Sequence, residues 1–294
     1  MSQTIGAALR QAIRCLERHG VSEPRAAAEV LLSDLLKKTR SHLYLDAACP
    51  LSTDQQAAYM ERLQRRLRGE PVQYITGKQE FWSLEFAVSP HVLIPRSESE
   101  ILVEQGARLA QEWYTTHPYA RLAVLDVGTG SGNLAISLAH TLPQAHLWAV
   151  DRAYEALQVA RQNAQRLGVA ERLHWICSDL LTAFHGGRRD FALCVANLPY
   201  VTTAEWHSLP KEIKDYEPPG ALRGGQDGLE LIRRLVSSSL EVLAPGGVLL
   251  LEVGWQQATV VQEMIRQQRH FSTTGVYRDL AGICLLYTSD AADE

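Results

Sequence analysis

The sequence predicts an α/β protein in which an open, mostly parallel, doubly wound sheet follows a small N-terminal helical bundle. Three observations predict it. From residue 96 onward, apolar runs alternate with helical stretches (LAVLDVG, LAISLAH, HLWAVD, YEALQVARQNAQRLG, LHWIC, FALCVAN, VLLLEVG), which is the rhythm of βαβ units. A glycine-rich turn joins the first of these strands to a helix. Residues 1–70 carry apolar side chains at helical spacing.

Taken in order, Ile5, Leu9, Ala12, Ile13 and Leu16 share one helix face, and Gly20 ends that run. Ser22, a candidate N-cap with Pro24 in the first turn, opens a second helix bearing Ala28, Leu31, Leu32 and Leu35. A third follows Ser52 or Thr53 and runs to Gly69, with Tyr59, Leu63 and Leu67 on its buried side. It also bears Arg62, Arg65, Arg66 and Arg68, read first as a solvated face and second as a docking surface for an acidic partner. Phe81, Leu84, Phe86 and Val88, bracketed by Gly77 and Pro90, suggest a hairpin. The expected domains are therefore a helical bundle over 1–72, a β-hairpin linker over 73–95 and the α/β domain over 96–294.

Composition narrows the function. The 294 residues hold 29 Lys and Arg against 33 Asp and Glu, a formal charge of −4. That is the wrong sign for a protein that wraps nucleic acid with its whole surface. Cys15, Cys49, Cys177, Cys194 and Cys284 are widely spread with no Cys-x-x-Cys pair, so neither a disulfide framework, a zinc ribbon nor another metal site is expected. Reduced cytoplasm is the expected compartment. The first twenty residues have charges every few positions, and no segment approaches the ~18 apolar residues of a membrane span.

The chemistry gathers at the strand ends. Leu122–Val127 runs into Gly128-Thr129-Gly130-Ser131-Gly132, where glycines let the backbone come close to a ligand and the helix start offers N–H groups. Alone, such a loop is also a plain strand-to-helix turn. Asp151 ends the next strand, where a carboxylate can accept from both ribose hydroxyls of a nucleoside. Asn133 stands where the dinucleotide form G-x-G-x-x-G has its third glycine, which weakens a dinucleotide reading. After the third strand, His174–Cys177, Asp179 can accept an exocyclic adenine amine with Leu180 beside the ring, or can simply cap the loop. The fourth strand, Phe191–Ala196, ends in Asn197-Leu198-Pro199-Tyr200, a rigid bend offering carbonyl acceptors to a planar NH2 group and an aromatic face; an Asx-type turn is the plainer alternative.

This tetrapeptide, with the G-x-G-x-G loop and two strand-end acids, resembles the S-adenosylmethionine-dependent methyltransferases that act on amino groups of planar systems. Their amide and adenine members usually carry Asn-Pro-Pro-Tyr; Asn-Leu-Pro-Tyr is similar to the ribosomal RNA adenine dimethyltransferases. Three further segments, GEPVQYITGKQEFWSLEFAVSPHVLIPRSESE, EPPGALRGGQDGLELIRRL and APGGVLLLEVGWQQ, resemble the release factor glutamine methyltransferases (HemK/PrmC family). That resemblance spans nearly the whole chain. It implies a class I, Rossmann-like methyltransferase fold and S-adenosylmethionine as methyl donor, with S-adenosylhomocysteine as product. Gly128, Thr129, Gly130, Ser131, Gly132, Asp151, Asp179, Leu180 and Asn197 would hold the cofactor, and Asn197, Leu198, Pro199 and Tyr200 the substrate and the catalysis. Peptide chain release factors would be the partners of a monomeric enzyme with no direct nucleic-acid or membrane contact.

Residues 1–95 hold 12 basic and 10 acidic groups and the remainder 17 and 23, which argues against the basic groove that the alternative, an adenine N6 methyltransferase acting on nucleic acid, would need. Asn197, Pro199 and Tyr200 together argue against a non-catalytic nucleoside-binding adaptor. Phe81 or Trp82 could pack on the substrate glutamine, with interdomain core as the other reading. The chain departs from the family pattern in three places. Pro95-Arg96-Ser97-Glu98-Ser99-Glu100 stands for Pro-Arg-Pro-Glu-Thr-Glu, Leu198 replaces a proline, and ICLLYTSDAADE follows Asp279-Leu280-Ala281-Gly282. Roughly the last ten residues are expected to be foreign to the family and without activity. Gly224-Gly225-Gln226 matches the substrates' Gly-Gly-Gln, but the family has Gly-Gly-x-Asp-Gly there, so self-methylation is not expected.

Overall fold

A computed structural model describes residues 3–184, 189–254, 256–268, 271–278 and 284–291, which form two units. The first is Met1–Lys78 with Pro210–Tyr216. Its helices are α1 (Ile5–Arg18), α2 (Pro24–Leu36), α3 (Arg40–Leu45), α4 (Thr53–Leu67) and α5 (Val72–Thr76) around a core that includes Leu9, Leu16, Leu31, Leu32, Leu43, Tyr59 and Leu63. The Thr4 hydroxyl caps α1, and Ser52 and Gln55 form a reciprocal capping box on α4. Two expectations change. The N-cap of α2 is Glu23, left-handed at φ 47°, rather than Ser22, and Val72–Thr76 is helical where the hairpin linker was expected to begin.

The arginines of α4 are not an open face. Arg62 Nη1 meets Asp34 at 2.7 Å, Arg65 meets Glu70 at 2.5 Å, and Arg66, itself buried, meets Glu212 at 2.6 Å. Asp34 also receives Lys37 at 3.1 Å and Lys78 at 3.0 Å. Burial pushes the Asp34 carboxyl up, but the hydrogen bonds from Arg62, Lys78 and Lys37 outweigh it and bring it down to about 2.

The second unit is Gln79–Leu209 with Glu217–Glu294. A hairpin of β1 (Lys78–Phe81) and β2 (Leu84–Ala87) turns through Trp82 and Ser83, at φ 53° and 57°. Then follow α6 (Glu100–Thr116), β3 (Ala123–Val127), α7 (Asn133–Thr141), β4 (His146–Asp151), α8 (Tyr154–Arg166), β5 (Leu173–Cys177) and β6 (Phe191–Ala196). After α9 (Thr203–Ser208) and α10 (Lys211–Lys214), which belongs to the helical unit, come α11 (Glu230–Ser239), β7 (Leu243–Val253), α12 (Ala258–Arg266), β8 (Phe271–Arg278) and β9 (Cys284–Ala291). The sheet order is β5-β4-β3-β6-β7-β9-β8, with β5 to β7 parallel and β9 antiparallel to both neighbours. The pairing of β9 is made by backbone groups, which any residue but proline supplies. Asp279 to Gly282, after which the sequence leaves the family pattern, lie outside the described residues together with Ile283 and the last three of the chain.

Successive strand residues point to opposite faces and build two apolar layers. Val124, Leu147, Leu193 and Leu250 pack with Leu102, Val103 and Leu138 on one side; Leu125, Val150, Leu249 and Leu251 pack with Ile232, Leu235 and Val261 on the other. Phe81 and Phe86 meet edge-on within the first layer, with ring centres 6.1 Å apart.

Asn163 of α8, fully buried, ties three segments together. Its Oδ1 accepts from Ala87 N at 2.7 Å, and its Nδ2 donates to Ala87 O at 3.0 Å and Ser131 O at 2.9 Å. Asn163→Ala strands those backbone groups away from water, each costing ~1–3 kcal/mol. Urea unfolding is expected to show a loss of ~3 kcal/mol; a loss below ~1 kcal/mol would mean that the three segments hold their places without this side chain.

Candidate functional site

A cleft opens at the carboxyl ends of β3 to β6, where β3 lies between β4 and β6 and the chain leaves the strands in opposite directions. Register sets the strand ends level: Val127 pairs with Val150 and Ala196, and Asp151 with Cys177. All the residues that line the cleft belong to the sheet unit.

The glycine turn forms one wall. Its N–H groups are spent within the protein: those of Gly128 and Thr129 donate to Val150 O at 2.8 and 2.9 Å, that of Gly130 to Asp151 Oδ2 at 2.9 Å, and that of Gly132 to Thr129 O at 2.8 Å. The turn therefore serves by lacking side chains rather than by cradling an anion on these four amides. Gly130, at φ 54°, has nothing within 4 Å of where a Cβ would stand. Gly132, at φ 81°, is excluded from the cleft wall and packs instead: a Cβ there would come within 2.9 Å of Ile136 and 3.1 Å of Ala160.

Asp126, buried beneath the turn, holds it in shape by accepting from the Thr129 hydroxyl at 2.7 Å and from Ala135 N at 3.2 Å. Burial pushes its carboxyl from 3.8 up to about 7, against those two hydrogen bonds and with a smaller push from Asp151. Asp151 lines the cleft while its Oδ1 accepts from Ala153 N at 2.9 Å; burial raises its pKa as well. Asp179 lines the cleft and pairs with Arg234 of α11 at 2.6 Å, which leaves its second oxygen for a ligand. Leu180 stands at φ 49°, which turns the chain so that this apolar side chain joins the cleft wall.

Asn197, Leu198 and Pro199 line the cleft from the end of β6. Asn197 Nδ2 donates to Ser99 Oγ at 2.9 Å, Ser99 Oγ donates to Glu252 Oε2 at 2.5 Å, and the Tyr200 hydroxyl donates to Glu252 Oε1 at 3.2 Å. Burial and the Glu252 carboxylate together raise the Tyr200 phenol far above its ordinary value. The Glu252 carboxyl is itself raised by burial, against hydrogen bonds from Ser99 and Tyr200. Leu198 packs over the turn, within 3.1 Å of where a Cβ on Gly128 would be. The Gly224–Gly225 pair is structural: Gly224 N donates to Val201 O at 2.9 Å, and a Cβ on Gly224 would come within 2.6 Å of Pro199 O.

Two family models match the chain, a PrmC N-terminal domain over residues 7–77 and a methyltransferase domain over residues 124–220. A release factor glutamine methyltransferase of Koribacter versatilis (strain Ellin345) is 42% identical over 280 residues, covering 95% of this chain and 96% of that protein. The chain belongs to the release factor glutamine methyltransferase family. Another member, from Moorella thermoacetica (strain ATCC 39073 / JCM 9320), is 39% identical over 279 residues and 95% of each chain. Among solved structures, the hMettl16 catalytic domain in complex with MAT2A 3'UTR hairpin 6 aligns with a TM-score of 0.56 at 13% identity, over 83% of this chain and 84% of that one, a likeness of fold. The sheet unit is a class I methyltransferase domain, and the family implies S-adenosylmethionine as its methyl donor.

The structure brings together Gly128, Thr129, Gly130, Ser131, Asp151, Asp179, Leu180, Asn197, Leu198 and Pro199. It does not bring Tyr200 to the cleft wall, because the ring is turned toward Glu252, nor Phe81 and Trp82. Phe81 is core, and Trp82 Nε1 donates to Thr141 at 3.1 Å. The sequence reading missed Asp126, Ser99, Glu252 and the Arg96–Glu217 pair. A lone acid within an apolar strand run was the available signal for Asp126 and Glu252; Ser99 carried none. Among the described residues, no three His, Cys, Asp or Glu side chains gather to hold a metal, and no helix is long and apolar enough to cross a membrane.

Asp126 makes stability pH-dependent. Unfolded, it ionises near 3.8; folded, it keeps its proton to about 7. Its contribution therefore falls as pH rises from ~4 to ~7, by up to about 4 kcal/mol, and is flat outside that window. Asp126→Asn removes this slope, so in urea unfolding from pH 4.5 to 7.5 the variant is expected to gain on the wild type as pH rises. A gap constant across that range would contradict the assignment.

Proposed function

We propose that this chain transfers a methyl group from S-adenosylmethionine to the side-chain amide nitrogen of the glutamine in the Gly-Gly-Gln motif of a peptide chain release factor. The observation that carries it is the setting of Asn197, whose NH2 is tied back to Ser99 while the residue lines the cleft. The planar amide then offers its carbonyl oxygen on the other branch. With the main-chain carbonyl of Leu198 beside it, two acceptors are available to the two N–H bonds of one planar NH2 group. The names of the relatives point to the same substrate.

The cleft fits the methyl donor. Open space at Gly130 admits a ligand close to the backbone, Asp151 ends β4 where ribose hydroxyls would be accepted, and Asp179 and Leu180 suit an adenine edge and face. When bound, S-adenosylmethionine supplies an electrophilic methyl group on a sulfonium sulfur.

The protein's part is orientation and electrostatics. An amide nitrogen is a poor nucleophile because its lone pair is delocalised into the carbonyl. Accepting both N–H hydrogens, on Asn197 Oδ1 and Leu198 O, fixes the nitrogen and draws electron density toward it. Pro199 stiffens the bend that carries both acceptors. The nitrogen loses its proton after methylation, when it has become cationic and strongly acidic, so no general base is required. Tyr200 acts from behind the wall by hydrogen bonding to Glu252. The helical unit, matched by the PrmC N-terminal model, is assigned to holding the release factor away from the reacting glutamine.

The test offers radiolabelled S-adenosylmethionine with release factor, its Gly-Gly-Ala variant and nucleic acid side by side. Label is expected on the wild-type factor alone; label on nucleic acid would overturn the reading. Asn197→Ala is expected to lower turnover by ~10³-fold, as loss of a preorganised acceptor does, with cofactor affinity by calorimetry within about threefold. Turnover close to that of the wild type would remove Asn197 from the mechanism.

A further inference from the structure

We infer that Ser99 and Glu252 are positioning residues that set which way the Asn197 carboxamide faces, so that its oxygen and not its NH2 meets the substrate. This rests on the assignment of Asn197 Oδ1 as a substrate acceptor made above. The two branches of a carboxamide have nearly the same size, so packing alone does not choose between them; hydrogen-bond partners do.

Those partners form a one-way chain. In its ionised form Glu252 has no hydrogen to give. Glu252, 3% exposed, therefore accepts the single hydroxyl hydrogen of Ser99, 1% exposed, at 2.5 Å. Ser99 Oγ then has only lone pairs left to present to Asn197, and it takes a hydrogen from Nδ2 at 2.9 Å. Flipping the amide would press Oδ1 against the Ser99 oxygen with no hydrogen between them, beside two buried side chains. Tyr200 closes the arrangement by donating to the other Glu252 oxygen.

Backbone geometry puts the three residues together. In the parallel pairing of β6 with β7, Ala196 stands opposite Leu251, so the next residues, Asn197 just past the end of β6 and Glu252 still within β7, are neighbours. Ser99 is presented by the turn that leads into α6. An acid inside the apolar run of β7 costs desolvation that an apolar side chain would avoid. Fixing the amide gives that cost a purpose. Glu98 is the nearby like charge that pushes the Glu252 carboxyl up, and Arg96, paired with Glu217, is the cation whose field reaches Tyr200.

The test uses the full chain with asparagine labelled by nitrogen-15. The sequence has three asparagines, Asn133, Asn163 and Asn197, so three side-chain NH2 pairs are read, and Asn197→Ala identifies the third. Ser99→Ala removes the acceptor of that NH2. Glu252→Met removes the acceptor of the hydroxyl at similar volume, which frees Ser99 to donate to Oδ1. Both are expected to shift the Asn197 NH2 pair and speed its proton exchange, and to lower kcat tenfold or more, with KM for the release factor and cofactor Kd within threefold. Ser99→Thr keeps the hydroxyl and is expected to stay within threefold of the wild type in kcat with the NH2 signals in place. The inference fails if the Asn197 signals stay put in both disruptive variants, if Ser99→Ala turns over like the wild type, or if threonine rescues nothing. The NH2 readout needs no substrate. A wild-type chain that shows these shifts but leaves release factor unlabelled would therefore sink the proposed reaction while leaving the amide's orientation established.

Discussion

The site depends on one constraint, the parallel register that sets the ends of β3, β4, β5 and β6 level with one another. A parallel ladder fixes where each strand runs out, and the residue just past that point has no choice but to face the crevice at the carboxyl edge. Four chain segments far apart in sequence thus deliver a bare turn, two carboxylates and a carboxamide to the wall of one cleft. A slip of one residue in any ladder would turn the strand's apolar side chains to the wrong layer, so the two apolar layers that hold the sheet together also hold the site in register.

Around that edge stand three buried acids, Asp126, Glu217 and Glu252, and the half-buried Asp151, each with hydrogen-bond partners of its own. Asp126 shapes the glycine turn from below, Asp151 accepts from Gly130 and Ala153 of two successive turns, and Glu217 accepts from Ile94 N at 3.2 Å as well as from Arg96. Glu252 gathers Ser99 and Tyr200. Since these acidic side chains take up backbone and hydroxyl hydrogens, they hold the segments around the cleft in place. Rigidity at the reacting group is what a weak amide nucleophile requires.

Much of this was legible in the sequence, for reasons that can be named. Phe191–Ala196 reads as a buried strand because it is short, apolar and stopped by Asn-x-Pro, and the structure gives the same bounds. Asp151 and Asn197 were legible because a polar residue directly after an apolar run falls at the strand end. What escaped was what depends on partners distant in the chain. The arginines of α4 read as an open face because nothing near them in sequence announces Asp34 of another helix or Glu212 from a much later segment. Helices α3 and α5, of six and five residues, are too short to show a period. Tyr200 follows the motif's pattern, yet it is not among the residues that line the cleft, and its hydroxyl donates to the buried Glu252 instead.

The strand order carries a consequence for how the chain is made. Strand β9 lies between β7 and β8 but follows both in the chain. During synthesis, β7 must therefore stand with one edge unpaired, and its run of Val248, Leu249, Leu250 and Leu251 is the kind of segment that recruits foreign strands. Strand β8 emerges next and cannot take the open place, which belongs to a strand not yet translated. The sheet unit is thus assembled out of order, and the window between the emergence of β7 and that of β9 is when this nascent chain is most exposed to mispairing.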